Sequence, residues 1–144
     1  MAPDCATLAP SSTAPEDTPM IVGMNHFTVI AEDPQKTLDF YVGLLGLTEG
    51  HRPDLGFPGA WLHAGGTHAV LHLVFGRPLP AQRAGVIDHM AFSAVGLSTV
   101  KARFDALAVK YDLRRQAGAG TWQLFCFDPN GARVELDFDA AESL

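Results

Sequence analysis

Four residues with metal-binding chemistry recur at one interval in this 144-residue chain. His26 and His89 are 63 positions apart, and so are His72 and Glu135. Imidazole nitrogen and carboxylate oxygen together suit a divalent zinc, nickel, iron, manganese or cobalt ion. The neighbours repeat too. "AVLHLVF", around His72, lies over "ARVELDF", around Glu135, without a gap. Side chains alternate faces along a strand. Leu71, Leu73 and Phe75 therefore oppose His72, and Val134, Leu136 and Phe138 oppose Glu135. By the same parity His26 opposes Phe27 and Val29, and His89 opposes Met90 and Phe92. One face of each strand is large and apolar and should pack on a helix; the other carries the polar four. A lone strand histidine is most often a hydrogen-bonded core residue. Four such positions at one repeat interval, all turned from the helix, point instead to an ion. It would keep a buried Glu135 charged and the imidazoles neutral.

The elements that must position these residues read as strand, helix and three strands, twice over. "MNHFTVIA" has strand character, and "DPQKTLDFYVGLLGL" predicts a helix with Asp33 as N-cap and Pro34 at its first position. Leu38, Tyr41, Leu44 and Leu45 fall at helical spacing. Strands follow near 47–52, 60–63 and 69–75. After "GRPLPAQRAG" the order restarts. "IDHMAFSA" is a strand, and "LSTVKARFDALAVKY" an amphipathic helix with Val100, Phe104, Leu107 and Ala108 inward. The strands "DLRRQ", "TWQLFCF" and "ARVELDF" complete the series, with a turn at "DPNG", 128–131. Tyr41 with Phe104, and Leu44 with Leu107, keep the 63-residue offset. The expected fold class is α+β: two tandem βαβββ modules, about 21–76 and about 86–139. Their curved mixed sheets should pair around a metal-binding cavity where His26, His72, His89 and Glu135 meet. Residues 1–19, rich in Ala, Pro, Ser and Thr, are expected to form a disordered tail before a single domain over 20–144.

Composition narrows the partners. A net charge of −6, from 16 acidic and 10 basic residues with no polybasic run, argues against nucleic acid. The apolar runs are too short for a membrane span, and the N-terminus lacks the basic and apolar regions of a secretory signal. Two cysteines, Cys5 and Cys126, make no disulfide framework and fit a reducing cytoplasm. Cys126 is expected to be a small buried apolar residue. His68 shares a strand face with His72 but stands ~13 Å from it, too far for one ion. His51 and His63 belong at a surface or pocket rim. Trp122 and Phe125 lie on opposite faces of their strand, and parity leaves open which lines the cavity.

The stretches "MNHFTVIAEDPQKTLDFYVGLLGL", "PGAWLHAGGTHAVLHLV", "IDHMAFSA" and "DPNGARVEL" resemble the vicinal oxygen chelate superfamily over residues 21–138. That superfamily includes glyoxalase I, methylmalonyl-CoA epimerase, extradiol dioxygenases, fosfomycin-resistance proteins and bleomycin-binding proteins. By this resemblance His26, His89 and Glu135 match the usual metal triad. His72 matches the fourth ligand position, a glutamate in glyoxalase I-like members. The resemblance implies one divalent metal ion and a small-molecule substrate held through two vicinal oxygens, with Lewis-acid stabilisation of an enolate-like intermediate. It also implies a homodimer. Glu135 is the candidate catalytic carboxylate for moving a proton. In "HRPDLGFPGAWLH", Arg52 is a candidate partner for a substrate carboxylate or phosphate, and Trp61 a candidate pocket wall. Three activities stay open. A glyoxalase-like lyase or isomerase leads. An extradiol-type dioxygenase is disfavoured by a fourth protein ligand at His72 and by the short chain. A non-catalytic small-molecule or antibiotic-binding protein is disfavoured by the complete ligand set. The site could form within one chain or between modules of two chains.

Overall fold

The computed structural model describes residues 20–21 and 23–144. The tail expected over 1–19, with Cys5, lies outside the described residues. Module one runs β1 (Phe27–Ala31), α1 (Pro34–Leu38), β2 (Thr48–Gly50), β3 (Gly59–His63) and β4 (Ala69–Phe75). Module two runs β5 (Met90–Ser93), α2 (Leu97–Ala106), β6 (Tyr111–Arg115), β7 (Trp122–Phe127) and β8 (Arg133–Phe138). Each forms a four-stranded mixed sheet, ordered β1-β4-β3-β2 and β5-β8-β7-β6. The helix carries the chain across the sheet, and the last strand returns parallel to the first. Thr28 lies beside His72 and Ala91 beside Glu135, so the 63-residue offset holds in the register of both parallel pairs, β1 with β4 and β5 with β8. It slips at the next strand of each sheet: Trp61 sits across from His72, whereas Phe125 sits across from Glu135, an offset of 64.

The helices differ from their sequence pattern. Asp33 caps α1 by accepting from the Lys36 backbone N–H at 3.1 Å, and Pro34 occupies the first turn. After Leu38 the helix widens to a π-helical stretch, Asp39–Leu44, in which the Leu45 N–H reaches back to the Phe40 carbonyl. The wider turn rotates the apolar stripe, so Phe40 and Tyr41 are buried side by side while Leu38 and Leu45 are only half-buried. In module two, α2 ends at Ala106, and Ala108 takes a left-handed φ of 53°. Leu107 is consequently 61% exposed rather than inward, and neither it nor Ala108 belongs to the helix face. Leu97 and Phe104 anchor α2 instead, with Val100 packed beside them. No side chain of α2 caps its start; the Glu142 carboxylate accepts from the N–H groups of Gly96 and Leu97.

Both modules turn their apolar faces into one core. Val29, Tyr41, Leu44, Leu71 and Leu73 of module one join Phe104, Leu124, Val134, Leu136 and Phe138 of module two in a single buried cluster. Each such side chain contributes about 1.5–3 kcal/mol on burial. Polar contacts tie the halves together. The Tyr41 hydroxyl donates to Asp128 Oδ2 at 2.9 Å. Asn130 donates to Thr37 Oγ1 at 3.1 Å and accepts from the Glu32 N–H at 3.0 Å. Asp128 and Asn130 belong to the "DPNG" turn, where Asp128 also accepts from the N–H groups of Asn130 and Ala132. With both apolar faces spent on this shared core, the faces bearing the histidines and Glu135 are left pointing away from it.

Candidate metal centre

The four candidate ligands come together as two pairs. In module one, His26 precedes the first residue of β1 and His72 lies mid-β4. Their rings stack at a centroid distance of 3.7 Å, and Trp61 of β3 stacks on the other side of His72 at 4.3 Å. The His26 and His72 ring planes lie within 18° of parallel. Burial, then the neighbouring His26, His68, Arg52 and His63, hold the His72 imidazole below its usual pKa and so favour its neutral, ligating form. In module two, His89 Nε2 lies 2.6 Å from Glu135 Oε2, and Phe125 meets the His89 ring edge-to-face. Glu135 is only 4% exposed. Gln123 donates to its other oxygen. Burial, then the Asp137 carboxylate, raise the Glu135 pKa, against the opposing pull of His89 and Gln123. A buried carboxylate in that condition is a natural seat for a cation. The donor set, three imidazoles and one carboxylate, fits a divalent transition ion chemically. Among the described residues, however, no group of three His, Cys, Asp or Glu is placed to hold one ion. The expected meeting of all four in one cavity does not occur within a single chain, because the shared core turns the two ligand faces apart.

Two cavities mark the halves. The larger, about 950 Å³, is lined by His89, Asp88, Phe125 and Arg133 of module two, by Phe27 of β1 and by Ile87 of the connecting segment. The smaller, about 370 Å³, is lined by His72, Trp61, His51, His63, His68 and Asn25. Trp61 is therefore a wall beside His72, and Phe125 lines the module-two cavity. Trp122 faces the core side and donates from Nε1 to the Glu142 carbonyl. Arg52 donates to the Phe57 carbonyl, stacks over the Phe57 ring, and keeps a buried Nε without a partner. His68 is bound to the Asn25 carbonyl at 2.7 Å. Cys126 is buried, and burial, then Asp128, push its thiol up to about 12.

Two kinds of site residue escaped the sequence reading. Gln123 holds Glu135, yet parity alone gives a glutamine no reason to stand out. Asn25 and Asp88 each lie against the Nδ1 of the following histidine, at 2.6 and 2.7 Å. The repeat offset could have found them, since 25 and 88 are also 63 apart.

A family model for the glyoxalase/bleomycin resistance protein/dioxygenase superfamily matches residues 23–136. The chain belongs to that superfamily. It is 27% identical over 124 residues to "Glyoxylase I 4" of Arabidopsis thaliana, covering 81% of this chain and 70% of that protein. A glyoxalase family protein from Enterococcus faecalis superposes with a TM-score of 0.61 at 27% identity, covering 81% of this chain and 97% of that one. The fosfomycin resistance protein FosX of Listeria monocytogenes superposes with a TM-score of 0.66 at 20% identity, covering 85% and 97%, and shows the shared fold. The tandem βαβββ architecture of the superfamily is the one observed. No helix among the described residues is long and apolar enough to cross a membrane.

Proposed function

We propose that this chain is a metal-dependent, glyoxalase-like enzyme of the lyase or isomerase type, acting on a small oxygenated molecule as a homodimer. Each centre takes His26 and His72 from one copy and His89 and Glu135 from the other. The observation that carries this reading is the division of the ligands into two pairs, each on a face turned from the shared core. A symmetric dimer would place one copy's first pair against the other's second pair, twice. The solvent-facing apolar side chains Met24, Ile87 and Phe127, the first two near His26 and His89 in sequence, supply surface for that contact.

A bound divalent ion would act as a Lewis acid toward two neighbouring substrate oxygens. The chain's own groups do the rest. Glu135, held at one oxygen by Gln123, can take a proton from the substrate and return it at the other oxygen. Trp61 gives a flat wall beside His72, and the Arg52 guanidinium can pair with an acidic substituent. Phe27, Ile87 and Phe125 in the lining of the larger cavity offer apolar contact to the substrate's carbon skeleton. A reducing cytoplasm suits the free thiol of Cys126.

The test uses manganese-loaded protein and two probes, acetohydroxamate with vicinal oxygens and acetamide with one. The electron paramagnetic resonance spectrum should change with acetohydroxamate and stay unchanged with acetamide. No response to either would refute chelation of vicinal oxygens. Oxygen uptake by iron-loaded protein with catechol would transfer the assignment to ring cleavage.

A further inference from the structure

We propose that Asn25 and Asp88 are paired positioning residues, each fixing the imidazole that follows it so that Nε2 is the nitrogen offered to the ion. The inference rests on the metal reading above and adds to it the orientation of two ligands.

Asn25 Oδ1 lies 2.6 Å from His26 Nδ1, and Asp88 Oδ2 lies 2.7 Å from His89 Nδ1. An ionised carboxylate only accepts, so His89 Nδ1 must donate; the amide oxygen of Asn25 asks the same of His26. A proton fixed on Nδ1 leaves Nε2 for the metal, and the hydrogen bond stops the ring from turning about its axis. In module two the outcome is visible, because His89 Nε2 already faces Glu135 Oε2 at 2.6 Å. Each of the two residues has a second contact, at the accepting oxygen in Asp88 and at the backbone in Asn25. Arg133 Nη1 bonds Asp88 Oδ2 at 2.6 Å, and His68 Nε2 bonds the Asn25 backbone carbonyl at 2.7 Å. The two arrangements occupy equivalent places in the repeat, on segments that connect to β1 and β5. Two adjacent-residue contacts of one kind at one repeat offset are hard to attribute to surface chance. They differ only in charge: a neutral acceptor serves module one and an anionic one module two.

The experiment measures zinc affinity of the tag-free full chain by competition with a chromophoric chelator. Long-range ¹H–¹⁵N spectra of the histidine rings accompany it. Asn25→Ala and Asp88→Ala should each weaken zinc binding about 10–100-fold, with metal-free thermal midpoints unchanged because both side chains are exposed. Asp88→Asn should recover most of the loss, since it leaves the kind of acceptor module one uses. The spectra should show protonated Nδ1 and zinc-bound Nε2 at His26 and His89. Wild-type affinity in both alanine variants, or zinc on Nδ1, would overturn the inference and leave the metal reading standing. An Asp88→Asn variant as weak as Asp88→Ala would overturn the equivalence of the two pairs. A wild-type chain that takes up no zinc, nickel, iron, manganese or cobalt would overturn both.

Discussion

If each centre draws two ligands from each of two copies, a chain damaged in one half should rescue a chain damaged in the other. His72→Ala removes a ligand from the module-one pair, and Glu135→Ala removes one from the module-two pair. Alone, each homodimer carries a defect in both of its sites. In a mixed dimer the defects fall together: one site has both, and the other joins the intact His26–His72 pair of the Glu135→Ala copy to His89 and Glu135 of the His72→Ala copy. Random pairing at equal amounts makes about half of the dimers mixed, so about one site in four is intact. Co-expression with two different non-metal-binding tags, followed by elemental analysis, should give about a quarter of the wild-type metal content per chain. The mixed dimer, isolated through both tags, should give about half. If every site formed within one chain, no chain in the mixture would carry a complete set. A mixture no better than the average of the separate variants would refute the shared-site argument, whatever the wild type binds.

Other outcomes follow from the packing and the charges. Tyr41→Phe removes a buried hydrogen bond to Asp128 that links the two modules, which should cost about 1.5–3 kcal/mol. Thermal unfolding should show a drop of roughly 5–10 °C; an unchanged midpoint would mean the contact ties nothing together. Cys126, with its thiol pushed up to about 12, carries a thiolate fraction on the order of 10⁻⁴ at pH 8. Peptide mapping after iodoacetamide treatment should find Cys126 unlabelled in native protein and labelled in urea. Because burial raises the Glu135 pKa, the folded metal-free chain holds that proton more tightly than the unfolded one. Its stability should fall as pH rises from the usual carboxylate range through the raised value. Metal-free Glu135→Gln should therefore melt higher than metal-free wild type at pH 7, with the difference closing in acid. A pH-independent difference would contradict that origin.

The first and last strands of each module were the most legible part of the chain. Their alternating pattern set the face of His72 and Glu135, and the 63-residue offset set their register, because both pairs lie beside the first strand of their module. The neighbouring strands β3 and β7 were less so: His72 follows Trp61 by 11 residues but Glu135 follows Phe125 by 10, which shifts the offset by one, and only pairing shows that Phe125, not Trp122, stands across from Glu135. The helices misled where backbone geometry departed from a 3.6-residue period. A π-helical stretch buries Phe40 beside Tyr41, and a left-handed Ala108 ends α2 before Leu107 can turn inward. The parting of the four ligands was the hardest feature to read. Strand parity fixes which face a side chain takes within a module but says nothing of how two modules share a core. Here the core lies between the helix-bearing faces, so pseudo-symmetry holds while convergence within one chain does not. Asn25 and Asp88 stood in view beside the histidines, but their role depends on side-chain hydrogen bonds that a sequence pattern does not carry.

The most direct test of the account is the metal content of the tag-free chain, measured by elemental mass spectrometry beside the double variant His72→Ala with Glu135→Ala. The account predicts about one equivalent of a divalent transition ion per chain in the wild type, and its loss in a variant that still folds and dimerises. No bound metal, and no uptake of zinc, nickel, iron, manganese or cobalt on reconstitution, would contradict it.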